Sequence, residues 1–420
     1  MAIAGGQILH VGSGGVLIDR LQTAGPGDLN INKETIRELG NYKSIGVVRD
    51  VPDITFNMES LDTSNEIEAM LMGVPTSTKT IDCSFPKYLD IQSPWKAGRS
   101  AAAPFAVASS VALPGLFPES ISYRFGLRDS ANQQVSLRGD SIYYAPGAVR
   151  FTSVAGTGTA GQTITPADDA GVYVGTGGET RVLAVTTRAL GRLSEGADYT
   201  VDDSGSTDAF APVEVTLSKV VASTDTVTVI TFTDAATEYL QTVHADTSVK
   251  PAAIRGRDIE IYAGYPTALT GGPTLPAQVA ALEAYKQTGV QSMNVDWRLT
   301  VETIEEFGSE FAVGKDYDTP TVSGTFEFKP RDVDDYFKRL RLFTDVAEDQ
   351  AVGPRVAAPK RFAVVLKDPN SGAILKVLQL LSVTVDVPGY SGQVGQSAAS
   401  SLSFTLNFSD DEGNLQILTV

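Results

Sequence analysis

The sequence predicts a mainly β protein with minor α content. It is read as two related β-sandwich or half-barrel modules, each with a short flanking helix, and a further β-sandwich domain inserted between them. Three observations predict this. One stretch of the chain occurs twice. Each copy alternates apolar and polar residues with a period of two. The region between the copies changes composition and reads as a series of short strands with polar turns.

The repeat runs from Asp28 to Glu59 and again from Asp296 to Glu327, aligned without a gap at an offset of 268. Asp28, Glu34, Thr35, Ile36, Glu38, Gly40, Gly46, Asp50, Pro52 and Glu59 recur as Asp296, Glu302, Thr303, Ile304, Glu306, Gly308, Gly314, Asp318, Pro320 and Glu327. Leu39 with Phe307, Ile45 with Val313, Ile54 with Val322 and Met58 with Phe326 are conservative pairs. Fixed-period self-similarity is the first thing to look for, because it sets the architecture.

After the proline each copy alternates. Ile54, Phe56 and Met58 oppose Thr55, Asn57 and Glu59; Val322, Phe326 and Phe328 oppose Ser323, Thr325 and Glu327. A period of two with one wet face predicts a half-buried antiparallel strand. Proline has no N–H for a central ladder, so Pro52 and Pro320 are expected to begin these strands. A short helix should follow each. The first is capped by Asp62, Thr63 or Ser64 and has Ile67, Met70 and Leu71 as its stripe; the second is capped by Asp332 and has Val333, Tyr336, Phe337 and Leu340.

A length of 420 residues accommodates two or three domains of roughly 100–200 residues each. The divisions predicted are 1–147, a first module with an N-terminal arm; 148–250, the inserted sandwich; and 251–420, the second module. In the first module strands are expected at Gly15–Ile18, Thr80–Phe85, Ser120–Leu127 and Gln133–Leu137, with a further one at Asp140–Tyr144. The weakly patterned 91–115 reads as a long loop. In the insert strands are expected at Gly171–Val174, Arg181–Thr187, Tyr199–Val201, Val213–Leu217 and Thr226–Thr233. Beyond it come a strand at Asp258–Tyr262, a helix over Pro276–Lys286, strands at Arg361–Lys367, Leu375–Val387 and Ser401–Phe408, and a final one at Asn414–Val420.

Composition narrows the function classes. The net charge of −17 disfavours a surface that grips nucleic acid, because that requires Lys and Arg to displace phosphate counterions. Residues 150–250 hold thirteen acidic and six basic side chains, −7 of that total. No run approaches 18 apolar residues, so no membrane span is expected. The start MAIAGGQILHVGSGG lacks a basic region and a sustained apolar core, so a secretory signal is not expected either. The single cysteine, Cys83, reads as a small, partly buried side chain.

No catalytic, cofactor-binding or metal-binding set is expected. The two histidines, His10 and His244, fall in different domains, without the close Cys or carboxylate partners of a zinc site or triad. Gly156–Gly161 matches GxGxxG, but Gln162 to Pro166 does not open the helix that places pyrophosphate. The acidic turns at Asp202–Gly205 and Asp410–Gly413 lack the alternating ligands and distal Glu of a calcium loop. Asn407-Phe408-Ser409 is a formal glycosylation sequon lying in an expected strand.

Both copies carry ETI-x-E-[LF]-G, then a glycine-containing strand, then D-x-P-x-[IV]-[ST] and an acidic helix. This pattern resembles the tail tube (major tail) proteins of tailed bacteriophages. The resemblance is carried by 28–73 and 296–343, is weaker over 115–145 and 361–420, and is absent from 150–250. It implies two packed antiparallel sheets with a flanking helix in each module. It also implies assembly into six-fold rings that stack into a tube, through which DNA and the tape-measure protein pass. Most members have one module per chain, whereas this chain has two. Some siphophage tube proteins are similar in fusing two modules, so that three chains complete a pseudo-hexameric ring.

The partners implied are further copies of the chain (a trimer of fused modules, with a hexamer as the alternative), the tape-measure protein, translocating DNA bound without sequence specificity, and other tail proteins, with no membrane. The implied location is the virion tail, after synthesis in the bacterial cytoplasm, with a channel lined by polar and acidic strand faces. Two alternatives stand beside this: a tail hub or distal tail protein with the same module, present at one ring per particle, and a non-viral surface or adhesion β-protein, which should carry an export signal or anchor.

Overall fold

The computed structural model describes residues 21–30, 33–36, 46–49, 52–61, 65–73, 79–84, 86–96, 107–146, 148–166, 172–173, 182–202, 210–211, 213–233, 253–304, 314–329, 338, 342, 359–386, 400–406 and 415–420. The protein is mainly β, built from antiparallel sheets.

The first part of the chain supplies β1 (Leu21–Asn30), β2 (Lys33–Ile36), β3 (Gly46–Arg49), β4 (Asp53–Ser60), α1 (Glu66–Met72), β5 (Thr80–Asp82), β6 (Leu89–Lys96), β7 (Val107–Gly126), β8 (Asn132–Gly139) and β9 (Tyr143–Pro146). The middle supplies β10 (Ala148–Ala155), β11 (Thr163–Ile164), β12 (Val172–Tyr173), β13 (Val182–Thr187), β14 (Gly191–Arg192), β15 (Tyr199–Asp202), β16 (Phe210–Ala211), β17 (Glu214–Leu217) and β18 (Thr226–Thr233). The last part supplies β19 (Ile259–Ala263), α2 (Leu275–Ala280), β20 (Val290–Arg298), β21 (Val301–Ile304), β22 (Gly314–Tyr317), β23 (Thr321–Phe328), β24 (Lys360–Lys367), β25 (Ile374–Val385), β26 (Ser400–Leu406) and β27 (Leu415–Leu418).

The repeat in the letters is a repeat in the backbone. The bounds of β2, β3 and β4 reappear in β21, β22 and β23 at the same offset of 268. In the hairpin β2–β3, Lys33 faces Arg49 and Ile36 faces Gly46; in β21–β22, Val301 faces Tyr317 and Ile304 faces Gly314. At the head of the next pair Leu29 faces Ile54, as Trp297 faces Val322. Beyond that a bulge between Pro26 and Leu29 shifts the first copy by one residue. The correspondence extends past the repeated letters. The order β1-β4-β8-β7 has β6 and β9 on the other half of β7; the order β20-β23-β26-β25 has β24 and β27 on β25 in the same way.

Pro52 and Pro320 each stand one residue before the strand that leads to the helix, where a missing N–H interrupts no ladder. In β23 the apolar face skips from Val322 to Phe326 across Gly324. A Cβ there would lie 2.4 Å from the Phe404 ring and 2.2 Å from the Asn294 carbonyl oxygen, so the neighbouring strands close over the glycine.

The segment 91–115 departs from the loop reading, because it is strand throughout much of its length. Residues 89–96 and 107–126 pair along β6 and β7, with Trp95 opposite Ser109. The alternation is absent because both faces are covered: Val111, Ala112, Leu113, Leu116 and Phe117 are all buried. One face belongs to the main core. The other meets the inserted domain, where Ala112 packs with Val149, Phe151, Ala184 and Ile230. Pro94 is tolerated because, among the described residues, β6 pairs with β7 alone.

Among the described residues of 148–233 are two small sheets, β10-β18-β13-β14 and β11-β17-β15, around Ile164, Val185, Tyr199, Val215, Leu217, Val227 and Val229, and a two-stranded one, β12-β16. This domain is seated on the first module rather than hung from it. The Thr186 hydroxyl donates to the buried Asp90 carboxylate (2.7 Å), whose other oxygen receives the Gly115 N–H (2.8 Å). Burial raises the Asp90 carboxyl above the usual carboxylate range, against the pull of these two donors and Arg188. Tyr88 N–H donates to the Arg188 carbonyl (3.0 Å), and Arg188 donates to the carbonyl of Met70.

Helix α1 buries Ile67, Met70 and Leu71 as the stripe predicts. Its N-cap is Asn65, which makes no side-chain cap bond; Asp62, Thr63 and Ser64 lie outside the described residues. The helix over 276–286 is shorter than its periodicity suggests. It ends at Ala280 and gives way to a 3-10 turn at Glu283–Tyr285, with Val279 and Leu282 still buried. The strand at Gly15–Ile18 lies outside the described residues, as does nearly all of the second flanking helix, within which Lys338 and Leu342 are helical.

Candidate assembly interface

The two modules meet through backbone. The far half of β7 lies antiparallel to β20, with Ser120 opposite Arg298, Ser122 opposite Asp296 and Gly126 opposite Ser292. The sheet therefore runs from β1 through β7 into β20 and on to β25 without a gap. The pairing is framed by Leu299 N–H donating to the Glu119 carbonyl (2.8 Å) and Leu127 N–H donating to the Gln291 carbonyl (2.9 Å). An antiparallel edge left open invites such pairing, and here one module satisfies the other.

Side chains fix the same junction. The Ser122 hydroxyl donates to Asp296 (2.5 Å). Trp297 is fully buried and its indole N–H donates to the Cys83 carbonyl (3.0 Å). β5 pairs with β27, with Ile81 opposite Ile417, so a strand of the first module extends the sheet of the second. Beneath them Glu68 of α1 is fully buried. One of its oxygens accepts from Lys376, from the Tyr123 hydroxyl (2.7 Å) and from the Gln133 amide (3.1 Å). The Lys376 ammonium also sits 5.3 Å from the centre of the Tyr123 ring. Burial, and then Glu68, push the Tyr123 phenol well up.

The hairpin β21–β22 reaches back over the first module. The Lys315 ammonium donates to the Arg138 carbonyl (2.7 Å), and the Tyr317 ring lies 5.2 Å from Phe117. Burial lowers Lys315 to about 8, with Arg138 adding to the effect and Asp140, Asp53 and Glu119 opposing it. Arg138 itself forms a two-pronged pair with Asp53 (2.8 and 2.9 Å).

The continuous sheet has two unlike faces. One is the shared core, in which Phe56, Ile121, Tyr123, Val295, Trp297, Phe326 and Phe404 belong to a single cluster crossing the junction. The other is polar on β4, β8, the far half of β7, β20, β23 and β26, whereas on β19, β24 and β25 it is apolar and covered, with Tyr262, Ala363, Val365 and Val377 packed on Leu275 and Val279. β4 presents Thr55, Asn57 and Glu59, and β8 presents Gln134, Ser136 and Arg138. β7 and β20 present Ser120, Ser122, Arg124, Asn294, Asp296 and Arg298. β23 and β26 present Ser323, Thr325, Glu327, Ser401, Ser403 and Thr405. Short hydroxyls and amides dominate, and lysine is absent from these positions. The acids Asp53, Glu59, Asp296 and Glu327, joined by Glu119 accepting from the Ser136 hydroxyl, outnumber Arg124, Arg138 and Arg298, so the face is polar with a small acidic excess.

Elsewhere Glu260 accepts from Lys286 (2.7 Å), Lys367 (2.5 Å) and Tyr262 (2.8 Å). Burial alone would raise its carboxyl, but the three donors hold it down at about 2. This is an ion-pair network at the foot of β19 and β24. Gly156–Gly161 is a turn between β10 and β11, with Gly158 and Gly161 at positive φ, and a strand rather than a helix follows. His10, His244 and the turn at Asp410–Gly413 lie outside the described residues. Among the described residues no group of three or more His, Cys, Asp and Glu is placed to hold a metal, and no helix is long and apolar enough to cross a membrane.

The sequence reading passed over Glu68, Lys376 and Trp297. A signal existed for each: Glu68 stands beside Ile67 within an apolar stripe, Lys376 interrupts the apolar run of 374–381, and Trp297 takes the place of Leu29 in the repeat. Compared with protein-family models and with curated proteins, the chain matches none.

Proposed function

We propose that this protein is a structural subunit that polymerises into rings, stacked as the tail tube of a bacteriophage, with the tube as the passage for DNA. The observation that carries the reading is the β7–β20 seam: two modules of one strand order joined edge to edge into one sheet. Modules that join in this way close into a barrel when enough of them are present, and closure removes the exposed edges. The motif resemblance supplies the number: six modules, hence three chains of two. Fusion holds the partner module at high effective concentration, which favours the paired arrangement.

The polar sheet face fits the passage. Hydroxyls and amides wet the surface, and carboxylates that outnumber the three arginines leave little net positive charge to trap phosphates. The small excess of acids over arginines adds a weak repulsion toward phosphate.

The experiment is single-ring mass determination together with a cryo-EM map of assemblies computed without imposed symmetry. Three chains per ring, stacked in many copies, are expected. Six chains per ring would replace the fused-module trimer by a hexamer. One ring per virion would move the protein to the tail hub. A chain that stays monomeric under every condition and is absent from virion tails would overturn the proposal.

A further inference from the structure

Tyr88 stands where three parts of the chain meet. It is buried, one step before the Leu89–Leu116 pair of β6 and β7, and its ring lies 4.8 Å from the Phe117 ring. The inserted domain closes on it. The Tyr88 N–H donates to the Arg188 carbonyl (3.0 Å). Gly191, at the head of β14, has φ +76° and lies against the Tyr88 ring, where a Cβ would come within 2.6 Å of a ring carbon. The β21–β22 hairpin of the second module meets the same residue. The Tyr88 phenol takes a hydrogen bond from the Lys315 backbone, and Tyr317 continues the series of rings at 5.2 Å from Phe117. Tyr88 is therefore held at its backbone and ring by the insert and at its hydroxyl by the hairpin. A close-packed ring cannot yield on one side without moving its neighbours on the other.

We infer that the inserted domain sets the position of the β21–β22 hairpin through Tyr88, so that the insert is a handle on that hairpin rather than a passive appendage. This holds whether or not the chains form rings. The device is two sets of contacts in series. Asp90, accepting from Thr186 of the insert and from the Gly115 N–H of β7, fixes the seat. Tyr88, two residues before Asp90, carries the position of the seat to Lys315 and, through Phe117, to Tyr317. The chain has one insert and two hairpins of the same kind, β2–β3 and β21–β22, and these contacts single out the second. Coupling of this kind is reciprocal: what holds the hairpin on Tyr88 also holds the insert on its seat.

The test is hydrogen exchange, read by mass spectrometry on the full-length chain, comparing 301–317 with 33–49 and with the main-sheet strands β4 and β8. Gly191→Ala drives a methyl group into the Tyr88 ring. Thr186→Val loosens the seat at Asp90 without altering Tyr88, and serves should the first variant misfold. The expected result is exchange at Lys315–Tyr317 faster by about tenfold, the scale of one lost buried hydrogen bond, with 33–49, β4 and β8 unchanged. Tyr88→Phe, which keeps the ring and removes the phenol oxygen, should give the same acceleration at Lys315. A hairpin that exchanges as in the native protein, in a variant whose Ala184–Arg192 exchange has risen, would overturn the inference. So would equal acceleration of the hairpin, β4 and β8, because that is a loss of global stability alone.

Discussion

The Glu68 carboxylate on the helix of the first module and the Lys376 ammonium on a strand of the second form a fully buried ion pair across the module junction. Neither charge has water to fall back on. Among the described residues the second Glu68 oxygen receives no hydrogen bond, so the pair depends on Tyr123 and Gln133 for the rest of its polar environment.

Removing one partner strands the other. Lys376→Met should destabilise the protein by about 3–5 kcal/mol, and Glu68→Gln by a smaller amount, because the amide keeps an acceptor for Tyr123. The double variant Glu68→Met with Lys376→Met should recover most of the loss, since well-packed apolar side chains replace a buried pair at little net cost. Guanidinium titration of the three variants checks the order; a double variant as unstable as Lys376→Met would contradict it.

Trp297 fills the core at the seam and anchors the Cys83 carbonyl. Trp297→Phe should cost about 1–3 kcal/mol, the penalty of a buried carbonyl left without its donor plus lost packing. Trp297→Ala should cost about 3–5 kcal/mol. Thermal unfolding reads both, and a Trp297→Phe variant as stable as the native protein would show that the indole N–H contributes nothing.

Lys315 gives the seam a pH dependence with a definite sign. Its folded pKa of about 8 lies below the unfolded value, so the unfolded chain holds more protons between the two. The penalty for a charged, buried ammonium is fully present below pH 8 and is relieved as pH rises above it. Stability of the native protein relative to Lys315→Met should therefore rise between pH 8 and 9. The full relief is at most about 3 kcal/mol, at about 1.4 kcal/mol per pKa unit, less what solvent screens. Denaturation of both proteins at pH 7, 8 and 9 measures the difference, and a flat difference would exclude the effect.

Cys83 is buried, and burial together with Glu68 and Asp82 pushes its thiol well up. Reactivity belongs to the thiolate, so the native protein should resist a thiol reagent at pH 8. Labelling should track unfolding in denaturant, and rapid labelling of native protein would place Cys83 at an opening seam.

Much of the fold was legible in the letters because a strand with one wet face writes itself as alternation. Ile54-Thr55-Phe56-Asn57-Met58-Glu59 and its counterpart gave the strands β4 and β23, and Pro52 and Pro320 marked their starts. The offset of 268 gave the duplication, since equal residues at equal spacing fold equally. The segment 91–115 was illegible because its strands are covered on both faces, and a run buried on both sides loses its period. Glu68 and Lys376 were illegible as a pair because they lie far apart in the chain and only the packing of α1 beneath β25 brings them together. The seam is of the same kind. Sequence determines that Ser120–Gly126 and Ser292–Arg298 are strands with one polar face. Only the tertiary structure decides that they are neighbours, because backbone hydrogen bonds between strands carry no residue code of their own.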